Sequence, residues 1–126
     1  MNDIFESFKQ SLERFQEILK EEKTVANRDS AIKRFEFTVE LAWKTIQKFL
    51  REQELVCRSP KECFQEAFRF GLIEDDPRWI EMMEDRNKTV HTYNEKFAEE
   101  VCARMPDYLD LLAVLKNKLE TTISRQ

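Results

Sequence analysis

One glycine in a chain of 126 residues is the strongest constraint this sequence places on its fold. Tight hairpins, phosphate-cradling loops and dinucleotide-binding turns use glycine where φ is positive or the backbone must approach a ligand. With Gly71 alone available, a nucleotide fold built on glycine loops is excluded and an all-β fold is disfavoured. Three prolines, with 37% charged residues interleaved among 41% hydrophobic ones, point to an all-α domain. The length is that of a single domain, residues 1–126, burying about two-thirds of its unfolded surface.

Helical periodicity divides the chain. Phe5, Phe8, Leu12, Phe15 and Leu19 step by three and four, which predicts a first helix from about Asn2 to Lys23, with Val25-Ala26-Asn27 as a turn. A second helix is expected from about Arg28 to Glu54, with the stripe Ile32, Phe35, Val39, Ala42, Ile46 and Phe49. Ser59-Pro60 with Glu62 reads as a capped helix start, Phe64, Ala67 and Phe68 as its inner face, and Gly71 as its left-handed stop. Asp76-Pro77 opens a fourth helix to about His91, with Trp79, Ile80, Met83 and Val90 apolar. Asn94 caps a last one from about Glu95 to Ile123, on the stripe Phe97, Val101, Met105, Tyr108, Leu112, Leu115 and Leu119. Pro106 predicts a kink or break near Met105. Short connections favour antiparallel neighbours, so the expected architecture is an up-down four-helix bundle with one additional short helix.

The second helix is apolar on more than one side. Phe37 falls opposite its stripe, and Trp43 and Leu50 widen the apolar arc, so Phe37 and Trp43 are read as a subunit interface of a homodimer. The Lys33, Lys44, Lys48 and Arg51 face is read as solvated, with Glu40–Lys44 supporting the helix.

A net charge of −4 excludes a general polyanion binder. The acids Glu74, Asp75, Asp76, Glu81, Glu84 and Asp85 read as a solvated helix start complementing the dipole. Cys57, Cys63 and Cys102 are odd in number and lack a CxxC spacing, so reduced thiols in a cytoplasmic protein are expected. With His91 they lack zinc-ligand spacing, and neither a metal nor a cofactor is expected. Neither a signal peptide nor a membrane span is legible, so no membrane partner is expected.

Chemistry concentrates between Glu84 and Asn94. Asn87 lies one turn before His91 on the same face, and Arg86 and Tyr93 align if the helix persists. Arg binds phosphate oxygens bidentately and stabilises transition-state charge. A histidine, with a reference pKa of about 6.5, can take a proton from a ribose 2′-OH and return one to a leaving oxygen.

Arg86 and His91-Thr92-Tyr93 match the Arg-x4-His-x-Tyr motif of the HEPN superfamily. The stretches Phe35 to Lys44, Ser59-Pro60-Lys61 with Ala67 and Gly71-Leu72-Ile73, and Trp79 to Glu95 resemble its nucleotidyltransferase substrate-binding proteins, relatives of the HepT toxins. The resemblance implies a homodimeric bundle partnered with a separately encoded minimal nucleotidyltransferase. It implies metal-independent endoribonuclease chemistry at Arg86 and His91, support from Asn87, and Tyr93 as the residue the partner modifies with AMP. A base and an acid require two histidines, which a dimer sharing a cleft would supply. The alternative is a non-catalytic subunit that binds a nucleotide substrate for the transferase. RNA or a nucleotide is accordingly the expected ligand.

Overall fold

The computed structural model describes residues 2–91 and 94–126, Asn2 by its backbone alone. Those residues form five helices: α1 (Asn2–Leu19), α2 (Val25–Glu52), α3 (Pro60–Phe70), α4 (Arg78–His91) and α5 (Glu95–Ser124). The all-α class and the five-helix count agree with the sequence reading.

Cross-contacts fix the direction of each helix. Ser11 of α1 meets Thr38 of α2 at 2.7 Å, and Phe15 packs on Phe35, so these helices run antiparallel. Arg28 joins the start of α2 to Glu95 at the start of α5, and Gln53 joins their ends through Gln126, so this pair runs parallel. Asp85 of α4 pairs with Arg104 of α5, and Glu81 with Tyr108, an antiparallel arrangement. The result is an up-down bundle of α1, α2, α4 and α5 in which α2 and α5 touch across the diagonal, with α3 laid against α2 and α4.

The predicted stripes form the core. Phe8, Phe15, Phe35, Val39, Ile46, Phe49, Val101, Met105, Leu112 and Leu119 are fully buried, and Phe35 stacks on Tyr108 at 5.6 Å. Leu50 is core as well, not a second apolar face, because the α2–α3 connection folds back over it.

The caps explain where the helices stop. Ser59 Oγ accepts from Glu62 N at 3.2 Å, and Asn94 Oδ1 from Phe97 N at 2.8 Å, both as expected. Gly71 ends α3 with φ 99°, and its N–H reaches Ala67 and Phe68 carbonyls. Val25-Ala26-Asn27 is not a turn: Thr24 caps α2 by accepting from Asn27 N at 3.1 Å, so the helix begins earlier than its first apolar stripe residue. Pro106 does not break α5, which continues through it. The proline ring faces solvent, and buried Met105 and Tyr108 hold the helix on both sides.

Three burial expectations fail. Phe68 is 48% exposed and Val90 is 50% exposed, since each lies on the outer side of its helix. Asp85, read as a solvated acid, is only 4% exposed. The cysteine reading also changes. Cys57 and Cys63 form a disulfide, because the connection before α3 folds Cys57 against the first turns of that helix, while Cys102 remains a half-buried thiol.

Candidate functional site

α4 carries the site, and its seating begins at its first turn. Asp76 Oδ1 accepts from Arg78 N at 2.9 Å, and the Arg78 side chain on the same carboxylate holds Asp76 below the usual carboxylate range. Trp79, Met82, Met83, Asp85 and Thr89 form the buried face, and Trp79 packs on Phe64 of α3 at 5.1 Å.

Asp85 is an acid on that apolar face. Burying a carboxylate is costly unless it is paired and hydrogen-bonded. Arg104 supplies two bonds of 2.8 Å and Tyr108 Oη donates a third at 2.6 Å. Glu81 Oε1 lies 3.0 Å from the same hydroxyl and shares its proton as the longer partner. Burial, reinforced by the bond to Asp85, pushes the Tyr108 phenol well above its ordinary value, and the bond to Asp85 raises Arg104 likewise. This network fixes the rotation of α4.

With Asp85 turned inward, the next residue faces α2. Arg86 Nη2 lies 3.0 Å from Glu40 Oε2, which also accepts from Trp43 Nε1 at 3.0 Å, while Lys44 sits 3.1 Å from the other oxygen. Burial alone would raise Glu40, but the Trp43 and Lys44 hydrogen bonds and the Arg86 and Lys44 charges outweigh it and hold the carboxyl low. Arg86 Nη1 donates to Asn87 Oδ1 at 3.3 Å. Among the described residues, Arg86 Nε is buried without a partner. One edge of the guanidinium is thus anchored inside, and the other opens beside Asn87.

Asn87 and His91 are neighbours one turn apart, both exposed, with His91 the last residue of α4. At the start of α5, Arg28 clamps Glu95 at 2.7 Å and Glu99 at 2.9 Å, and its hydrogen bond and charge hold Glu95 low. Tyr93 lies outside the described residues. The structure therefore places Asn87 and His91 on one exposed edge of α4, while Arg86 turns toward α2 and meets that edge through its hydrogen bond to Asn87. This edge is open surface. A groove of about 520 Å³ between α1 and α5, lined by Lys9, Glu13 and Lys116 among others, contains none of the three. Among the described residues no group of three His, Cys, Asp or Glu side chains could hold a metal ion.

Sequence reasoning missed Glu40, which it read only as support for Lys44, and Arg104. The i,i+3 spacing of Glu40 and Trp43 was a usable signal. The expected interface residues separate: Phe37 is 51% exposed with Lys33 5.8 Å from its ring, whereas Trp43 is tied to Glu40 at the site.

The fold is an up-down helical bundle with its open polar edge on α4. The chain belongs to the family described as nucleotidyltransferase substrate binding protein like, whose profile matches residues 3–121. It is 36% identical over 84 residues to a probable ribonuclease HepT of Haemophilus influenzae, a match spanning 63% of this chain and 58% of that relative. A Thermus thermophilus protein of known structure is 38% identical with a TM-score of 0.83, covering 89% of this chain and 98% of that one. A Haemophilus influenzae structure described as the fold of a substrate binding domain of a nucleotidyltransferase is 28% identical with a TM-score of 0.68, covering 93% and 94%. The tri-AMPylated Shewanella oneidensis HEPN toxin, solved in complex with its MNT antitoxin, shares the fold at 20% identity and a TM-score of 0.78, covering 96% and 99%. No helix among the described residues is long and apolar enough to cross a membrane.

Proposed function

We propose that this chain is the HEPN subunit of a two-component toxin–antitoxin system and, as a cytoplasmic homodimer, cleaves RNA without a metal. The observation that carries the reading is Arg86, anchored on one edge by Glu40 and open on the other beside Asn87, with exposed His91 one turn further on. An open edge suits a polymer better than an enclosed small ligand. Asp85 does not oppose an RNA phosphate, since Arg104 pairs with its charge inside the bundle.

In this reading His91 takes the proton of a ribose 2′-OH, whose oxygen attacks the adjacent phosphorus. Arg86 stabilises the charge on the phosphoryl oxygens. His91 of the partner subunit protonates the departing 5′ oxygen, leaving a cyclic phosphate. The Phe37 face forms the dimer contact, with Trp43 at its margin. A minimal nucleotidyltransferase silences the toxin by transferring AMP to Tyr93.

The test is RNA cleavage by purified protein in excess chelator. Replacement of His91 or Arg86 by Ala should lower the rate about 100-fold or more. Equal rates for wild type and His91→Ala would overturn the reading. Incubation with the transferase and ATP should add one or more AMP groups at Tyr93, read by mass spectrometry.

A second reading, a non-catalytic subunit that presents a nucleotide to the transferase, is favoured by the family description and the net charge of −4. It expects nucleotide binding heat and no cleavage.

A further inference from the structure

The Cys57–Cys63 disulfide has no part in the site on α4. Cys57 lies in the connection between α2 and α3, and Cys63 in the first turns of α3, both buried. The surrounding connection is open to solvent at Glu54, Leu55, Val56, Arg58 and Ser59. Glu54 holds the left-handed region at φ 64°, which is uncommon for a residue with a Cβ. The connection's other ties include the Glu54 N–H on the Arg51 carbonyl, the Leu55 N–H on the Leu50 carbonyl, and Gln47 Nε2 on the Cys57 carbonyl at 2.9 Å. Phe64, next to Cys63, packs on Trp79 at the start of α4.

We propose that Cys57 and Cys63 are a reversible thiol–disulfide site whose state sets how firmly α3 and the connection before it are held. The proposal rests on the cytoplasmic part of the reading above, because disulfides in that compartment are transient and redox-sensing. The cross-link closes a short loop, which removes little chain entropy, and the four long helices build most of the core without it. The domain therefore folds in either state, and oxidation acts locally.

The oxidant is a low-molecular-weight disulfide such as oxidised glutathione. One cysteine thiolate attacks it, forming a mixed disulfide and releasing one small thiolate. The second cysteine thiolate then attacks the mixed disulfide at the protein sulfur and expels the second small thiolate. Two electrons pass to the small disulfide, and the two cysteine protons end on the released thiols or in solvent. Cys102 lies on α5, outside this connection.

The experiment equilibrates the full chain, carrying Cys102→Ser, in glutathione buffers from strongly reducing to oxidising, then traps free thiols by alkylation. Mass spectrometry should show both forms near the cytosolic poise. The oxidised form should lack two hydrogens and retain no glutathione. Amide exchange across residues 53–70 should be about tenfold faster in the reduced protein, the signature of local opening. A pair that stays oxidised in the reducing buffers is a permanent cross-link and overturns the proposal, as does a pair that never oxidises. Equal exchange in the two states also overturns it. None of these readouts depends on RNA cleavage, so the two proposals fail separately.

Discussion

Arg104 closes on Asp85 with two parallel hydrogen bonds of 2.8 Å, joining α5 to α4 one residue before Arg86. The pair is a registration device for the site, because the helical step from Asp85 decides which way Arg86 faces. Replacing Arg104 with Met leaves Asp85 buried with only its hydroxyl partner. We expect a loss of about 2–3 kcal/mol, short of the roughly 3–5 that a fully buried pair loses, since water reaches part of Arg104. Urea unfolding measures it, and Asp85→Asn in the same background should recover much of the loss. If Arg104→Met unfolds at the wild-type midpoint, the pair does not hold α4.

Tyr108 gives the fold a weakness in alkali. Its phenol is raised above the ordinary value of 10.0 by burial and by the bond to Asp85. A raised folded pKa means the contribution is complete below the unfolded value and is lost as pH rises beyond it. Above about pH 10 the unfolded chain releases the tyrosine proton while the folded chain keeps it, so unfolding gains. Unfolding free energy should therefore fall as pH rises beyond about 10. Tyr108→Phe should cost about 1 kcal/mol at neutral pH, for the lost hydrogen bonds, and flatten the alkaline slope. An unchanged slope in that variant refutes the assignment.

These two residues mark where the sequence stopped being informative. Tyr108 was legible as core, because it completes a stripe of period 3.6 in α5. Its partner was not, since a carboxylate at position 85 looks solvated until Arg104 arrives from another helix. The same holds for Glu40, whose local companion Lys44 is visible in the sequence and whose distant companion Arg86 is not. Ser59, Gly71 and Asn94 were readable because a cap is a contact within a few residues. Thr24 was overlooked because Val25 and Asn27 are weak helix formers that look like a turn. Asn87 and His91 fell on one edge as their spacing requires. The Cys57–Cys63 pair was hidden by the geometry of the connection between them.

Phe37 tests the proposed dimer. It is half exposed and stands outside the buried core, so Phe37→Asp should leave the chain folded, with its helical circular dichroism unchanged. Sedimentation velocity should show a dimer for the wild-type chain and a monomer for the variant. A variant that sediments as wild type places the interface elsewhere.

Pro106 predicts a stabilising substitution. It lies inside α5 without a backbone donor, so the carbonyl four residues earlier lacks its helical partner. Its side faces solvent, and nothing in the core depends on the ring. Pro106→Ala should raise stability by about 1–3 kcal/mol, seen as a higher urea midpoint at the same slope. A lower midpoint would mean that α5 needs a bend at this position.

Gly71 ends α3 on a backbone that favours glycine, and its substitution isolates that demand. At φ 99° a side chain is strained, yet an added Cβ would meet no atom within 4 Å. The cost of Gly71→Ala is therefore conformational and not steric against neighbours, about 1–2 kcal/mol. Gly71→Asn should cost less, because Asn tolerates left-handed backbone better than other L residues. The order Gly, then Asn, then Ala in thermal midpoint is the expected result. Equal midpoints for Ala and Gly would show that α3 can end without its left-handed cap.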